Sequence, residues 1–305
     1  SAKETPFPTT NNELVINDVK GHAYFMRAFN YFNLVRLWGE IPLRLEPASP
    51  TSINLKKSSI KEVYTQIIAD VKKAQELMND AIGEGKPKPY AADMLLAKVY
   101  MALATAPTDV QTAGVNYWQL AYDEAIKVYG KYSLLSSYND LFDDTNGNNT
   151  TESIFEIQSS LLASLDHTRA FTPSNYVSIN TFGWLKINVE AFDLHRNTYP
   201  DDERIATTYV SSWTQQNNGN FTKNYPDVNW AANGRPSFNN GFPYLFKLGS
   251  KDTNTNIQKT NKNFKIFRYA DLLLMLAEIS NELQNGEQLG YVTEVLDRVG
   301  ITPPA

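Results

Sequence analysis

The sequence contains no cysteine, which excludes disulfides, cysteine-ligated zinc and thiol catalysis. Histidine is scarce. His22, His167 and His195 stand too far apart in sequence to form a metal-ligand pair such as H-x-x-x-H. No apolar run approaches the roughly 18 residues that would cross a bilayer, and no signal peptide is visible. A strong charge of either sign is missing too. The formal net charge of -5 gives no reason to expect nucleic acid or an anionic membrane surface as a partner. Nucleophile elbow, zinc signature and phosphate loop are all wanting, so an enzymatic reading, of which a glycosidase is the natural choice, has no motif behind it.

What is present is a chain of 305 residues, 42% of them hydrophobic and 12% aromatic. That is enough for one large domain or two ordinary ones with a real core. Asparagine is abundant, above all between Asn139 and Asn263. Side-chain amides and flat aromatic faces suit polar, ring-shaped ligands such as sugars, although most asparagines fill turns and most aromatics fill cores.

Periodicity places helices in the first part of the chain. Residues 19–38 are apolar on nearly every face, with Arg27, Asn30, Asn33 and Arg36 as a narrow polar stripe. Such a helix is expected to be largely buried, Trp38 included. Gly39 ends it, and Pro42, Pro47 and Pro50 mark an extended passage. Residues 59–78 open with Ser59 and Glu62 in capping-box spacing. They continue with Ile60, Val63, Tyr64, Ile67, Val71, Ala74 and Met78 at helical spacing. Helices over 91–104 and 117–129 alternate small residues (Ala97, Ala121, Ala125) with large ones (Tyr100, Tyr122), as closely packed antiparallel helices do. No strict repeat of about 34 residues is present, so the array is degenerate at best. After Tyr132 the texture changes. Residues 153–158 alternate like a strand, and a helix is expected over 187–195. Residues 199–260, rich in Asn, Gly, Pro and aromatics, show little periodicity and read as a functional excursion. Helices resume over 267–282 and 291–298.

Five segments in order resemble the SusD/RagB family of Gram-negative Bacteroidetes. Residues 21–42, GHAYFMRAFNYFNLVRLWGEIP, resemble its F-x-R-A-x-x-Y-F-x-L-V helix and G-[DE]-[VI]-P turn. Residues 63–78 are similar to its next helix, 91–101 (AADMLLAKVYM) to its A-A-x-x-L-L-A-K-V-Y-L segment, 152–156 (ESIFE) to its E-S-I-[FW]-E strand, and 267–278 (FRYADLLLMLAE) to its R-Y-A-[DE]-[VL]-x-L-x-x-A-E helix. The resemblance implies a mainly α fold: a tetratricopeptide-like scaffold of helical pairs, a loop-rich lobe carrying the ligand site and a few short strands. A single domain is expected over 1–305, with scaffold over 13–135, ligand lobe over 136–262 and a return to scaffold over 263–300. The implied function is non-catalytic capture of oligosaccharide or polysaccharide at the cell surface for nutrient uptake. The implied partner is a SusC-like TonB-dependent outer-membrane transporter. Family members also carry a leader, a lipid-bearing cysteine and a long C-terminal segment. None is found here, so a truncated chain is expected, and lipid anchoring on the outer membrane's external face rests on the resemblance alone. The rival reading is a helical-repeat scaffold for protein partners with no sugar site.

The family's motifs fix no ligand residues, so the site is read from the chain itself. A sugar site needs flat apolar faces for ring C–H groups, and amides or arginine for hydroxyls. Residues 213–244 supply Trp213, Phe221, Tyr225, Trp230 and Tyr244, with Asn229, Asn233 and Arg235 interleaved. Trp213, Tyr225, Trp230, Asn233 and Arg235 are therefore the candidate ligand-binding residues. Trp184, in F-G-W-L, reads as core packing, and Trp118 as structural. Asp144, Asn146 and Asn148 offer oxygens at alternate positions, as calcium accepts. Without an EF-hand's glycine or its final glutamate, however, a solvated turn is the reading kept, with structural calcium near Asp144 the alternative and no other cofactor implied. Asp201, Asp202 and Glu203 are adjacent on one loop, not a pair across a cleft, and read as a helix start or local ion pair. Arg268 with Asp271, and Arg27, read as structural polar groups of the scaffold.

Overall fold

The structure, a computed structural model, describes residues 12–302 apart from 48, 51–52, 84, 161–166, 177–180, 216, 224, 226–240 and 252–259. The chain divides into two compact units, one running to Lys131 and including Leu274–Gln288, the other comprising Tyr132–Leu273 and the residues from Leu289 onward.

The first unit is built of paired helices. Helix α1 (Glu13–Trp38) is capped by the Asn12 side chain, which accepts from Leu14 N, and ends at Gly39, whose φ of 69° the missing side chain permits. Its buried residues are Asp18, Gly21, Phe25, Ala28, Phe32 and Val35. That is a single stripe packed on α2 (Ile60–Leu77). The next position of this stripe is Gly39, where the helix stops. Leu37 and Trp38 therefore fall outside it, and Trp38 is 64% exposed rather than core. Gly21 marks the closest approach, because a Cβ there would lie 2.7 Å from Met78 N. Asp18 is fully buried yet satisfied, accepting from Asn79 N and Ile82 N at 2.9 Å each. Arg27 grips Asp70 with two 2.7 Å bonds, the structural role its position suggested.

Helix α2 carries the full Ser59–Glu62 capping box. It packs on α3 (Pro89–Ala104), which in turn packs on α4 (Tyr117–Val128). Proline at the start of α3 forfeits no helical hydrogen bond. Helix α4 buries Tyr117, Ala121, Ala125 and Val128, the small residues letting the backbones close.

The second unit is held by short antiparallel pairs. β1 (Ser153–Ile157) pairs with β6 (Phe264–Arg268), β2 (Tyr209–Val210) with β5 (Tyr244–Leu245), and β3 (Ser212–Thr214) with β4 (Phe221–Lys223). Between them lie α5 (Thr168–Phe171), α6 (Val189–Thr198) and α7 (Arg204–Thr208). The excursion over 199–260 thus contains regular structure, in pieces too short for a periodic signal. Phe267, expected in a helix, is in β6, where its ring meets Phe155 edge-on at 5.9 Å. Helix α8 (Tyr269–Leu283) starts two residues later, and α9 (Gln288–Asp297) follows. The fold is mainly helical, with helical pairs and a few short strands.

Candidate ligand site

Residues 181–187 form a ribbon fixed on both sides. Phe182 N–H donates to Arg169 O at 2.9 Å and Trp184 N–H to Ala170 O at 2.7 Å, at the end of α5. On the other side Leu245 N–H donates to Leu185 O and Ile187 N–H to Pro243 O. Gly183 between the rings has φ +54°, and a Cβ there would lie 2.7 Å from Tyr244 Cε1 and 3.0 Å from Pro173 Cα. Only glycine fits both the conformation and the space. Phe182 and Trp184 therefore leave the ribbon together and stack, centroids 4.9 Å apart and planes 8° from parallel. The Arg169 guanidinium lies over the Phe182 ring at 4.4 Å. Phe182 is thus committed to two neighbours. Trp184, 71% exposed, presents the larger open ring. The core role expected for Trp184 is corrected: this indole is displayed. The F-G-W pattern carried the signal, because a glycine between two aromatic rings admits a left-handed backbone that a side chain would oppose.

The residues singled out on 213–244 fare differently. Trp213 is 8% exposed and lies in a cluster with Val210, Tyr244 and Phe246, packed by Tyr176. It meets Tyr176 and Tyr244 edge-on at 6.2 and 5.8 Å. The expectation of a displayed platform at Trp213 is therefore corrected. A strand residue facing inward finds partners across β2–β5 that sequence distance concealed. Its indole Nε1 is buried, with no hydrogen-bond partner among the described residues. Tyr225 is half-buried, its ring edge-on to Phe192 and its hydroxyl bonded to Asp193 on α6. Phe221, in β4, is exposed. Trp230, Asn233 and Arg235 lie outside the described residues.

The acidic segments are committed to structure. Asp202 accepts from Arg204 through Nε and Nη2 (2.6 Å to the latter) and faces His195 Nε2 at 2.9 Å. Burial opposes its charge, but the bonds from Arg204 and His195 prevail and hold the carboxyl down to about 2. Glu203 accepts from Tyr138 N. Asp144, the suggested calcium ligand, already has a cation. The buried Lys262 ammonium donates to Asp144 Oδ1 (3.0 Å), Phe142 O (2.8 Å) and Gly249 O (2.6 Å). Asn148 is likewise engaged, with Asn261 O and Asn263 N. Arg268 donates to Glu152, which also takes Arg298.

The chain thus has one unit of helical pairs and another of short strands and loops, the latter with exposed stacked rings and with Glu152 and Asp202 held in ion pairs. A family model described as starch-binding, associating with the outer membrane, matches residues 6–101, and the SusD family model matches residues 101–304. The chain belongs to the SusD family. It is 27% identical to SusD-like protein P2 of Formosa agariphila over 94% of this chain and 57% of that protein. SusD-like protein P25 of the same organism is 23% identical over 93% of this chain and 56% of its own length. The chain thus spans little more than half of these curated relatives. Among solved structures, a SusD superfamily protein from Parabacteroides distasonis superposes with a TM-score of 0.77 at 23% identity, covering 98% of this chain and 63% of that one. The surface glycan-binding protein A of Bacteroides uniformis gives 0.70 at 21% identity, over 98% and 62%.

Proposed function

We propose that this chain captures oligosaccharide or polysaccharide at the cell surface and delivers it, uncleaved, to a TonB-dependent outer-membrane transporter, the whole protein being lipid-anchored on the outer face. The observation that carries the binding half is the exposed Phe182–Trp184 stack. An indole this open has no packing role to satisfy, and its flat face suits the C–H side of a sugar ring. Phe182 and Arg169 brace that face from behind, so little side-chain freedom is lost on binding. Tyr225, Trp230, Asn233 and Arg235 remain proposed contributors, whereas Trp213 contributes as support. The transporter partner and the anchor rest on family membership.

The test is a glycan array on the purified protein, followed by calorimetry with the glycan it identifies and with the Trp184→Ala variant. Specific binding that the variant loses supports the reading. Release of reducing sugar from that glycan would contradict the non-catalytic part. A second reading, a helical scaffold for protein partners, draws on the exposed apolar residues Leu34, Leu37 and Trp38 of α1. It predicts a blank array together with a successful pull-down.

A further inference from the structure

A cleft of about 380 Å³ opens within the second unit, away from the ribbon of Phe182 and Trp184 in sequence and lined by none of its residues. Its lining includes Phe142, Asp143, Asp144, Lys247, Lys251 and Lys262. The Phe142 ring has three cations about 6 Å from its centroid, at Lys247 Nζ (6.0 Å), Lys265 Nζ (5.8 Å) and Arg268 Cζ (6.0 Å). Two of them are neutralised: Lys265 by Glu156 at 3.5 Å and Arg268 by Glu152 at 2.7 Å. Lys262, at the cleft wall, is neutralised by Asp144. Lys247 has no hydrogen bond or ion pair among the described residues, and it is half-buried. Burial, and then the charge of Arg268, push its ammonium below the usual lysine range.

The acids of the cleft do not answer this charge. Asp144 accepts from Lys262, Ser250 Oγ and Lys251 N. Asp143 is turned onto its own loop, accepting from Thr145 N and Asn146 N. Asp140 is an exposed residue of the lining. A half-buried ammonium over an aromatic face, with three unused donors and a cleft of ligand size in front of it, carries a desolvation cost that an incoming anion would offset. Asn139 and Thr207 in the same lining supply hydroxyl-directed groups.

We propose that this cleft takes the negatively charged group of an acidic saccharide, a uronate carboxylate or a sulfate ester, on the Lys247 ammonium. The anion half stands on the cleft alone; the saccharide half rests on the proposed glycan-binding function. The probes are galacturonate, galactose 6-sulfate, galactose and inorganic sulfate, titrated by calorimetry and by NMR. The charged sugars should bind the parent at least about tenfold more tightly than galactose. Lys247→Gln should reduce them to the galactose level, and Lys247→Arg should stay within about threefold of the parent. In the parent, the charged sugars should shift the resonances of Phe142 and Thr207, which keeps the test alive should Lys247→Gln fail to fold. Galactose binding as well as the charged sugars, an unchanged Lys247→Gln, or silent Phe142 and Thr207 resonances would each overturn the proposal. Inorganic sulfate binding as tightly as galactose 6-sulfate would overturn its saccharide half. Failure of the glycan-binding reading looks different: a blank array for neutral and acidic glycans alike, whatever sulfate does.

Discussion

Replacing Trp184 with alanine separates a displayed ring from a packed one. The indole is 71% exposed, so truncation creates no cavity and should change folding stability by less than about 0.5 kcal/mol. Its effect belongs to binding. A tryptophan presents about 250 Å² in all. Since Phe182 already covers part of it, a sugar ring laid on the open face removes roughly 80 Å² from water. At about 25 cal/mol per Å² that is about 2 kcal/mol, or roughly thirtyfold in Kd. The assay is calorimetric titration of parent and variant with the glycan chosen by the array, alongside urea unfolding of both. The expected result is an unfolding midpoint shared by the two proteins and an affinity lower by one to two orders of magnitude. Affinity within a factor of about two would refute the assignment of Trp184. A large loss of stability would refute the claim that the ring is displayed.

Gly183→Ala inverts that pattern. The positive φ costs about 1–2 kcal/mol for a side-chain residue, and the contact with Tyr244 and Pro173 adds about 1–3 kcal/mol of overpacking. Urea unfolding should therefore show a loss of a few kcal/mol, and a midpoint equal to the parent's would refute the contact. Glu152→Gln leaves the Arg268 and Arg298 guanidinium groups without their carboxylate, Arg298 with a side chain only 4% exposed. A loss of about 3–5 kcal/mol by the same measurement is expected. For Asp202, the folded carboxyl is held at about 2 against an ordinary 3.8. Its contribution, on the order of 2 kcal/mol, is complete above the ordinary value and is lost as pH falls through the folded one. Parent and Asp202→Asn should therefore differ in stability at pH 6 and converge toward pH 2. A constant difference between them would refute the ion pair as its source.

The helical half of the chain was legible because its signals are local. Ser59 and Glu62 cap a helix through groups three residues apart, and the stripe from Val63 to Ala74 repeats every turn. Exposure of a given ring was not legible, because it depends on what the rest of the chain brings opposite. Trp38 ends an apolar helix and yet escapes the stripe that α2 covers. Trp213 sits in a polar, loop-like stretch and yet is sealed by Tyr176, Tyr244 and Phe246, residues 31 or more positions away or on another ribbon. Trp184 was the reverse case. Its display follows from a positive φ at Gly183 that composition does not reveal, although aromatic–glycine–aromatic spacing was there to be read. Phe267 shows a further limit: an apolar residue at a helix boundary serves a strand equally well, and its contact with Phe155 decided the matter.

The second unit owes its order to ions as much as to apolar packing, and this bears on where a ligand can bind. Strands of two to five residues bury too little apolar surface to define a rigid lobe by themselves. Glu152 between two arginines, Asp202 between Arg204 and His195, Glu156 beside Lys265, and Lys262 among three oxygens each join segments distant in sequence or neighbouring turns. Each of these charges is paired, so its burial restrains the chain without leaving an unmet electrostatic demand. Against that background an aromatic ring left open at Trp184 and an ammonium at Lys247 without an ion pair among the described residues are exceptions of one kind. In both, a group that the fold had the means to satisfy is left to be satisfied from outside. The flat apolar face of a sugar ring answers the first and a negatively charged group the second, whereas a protein partner docking on α1 answers neither. Binding measured at these two residues therefore decides between the two readings more directly than any property of the helices.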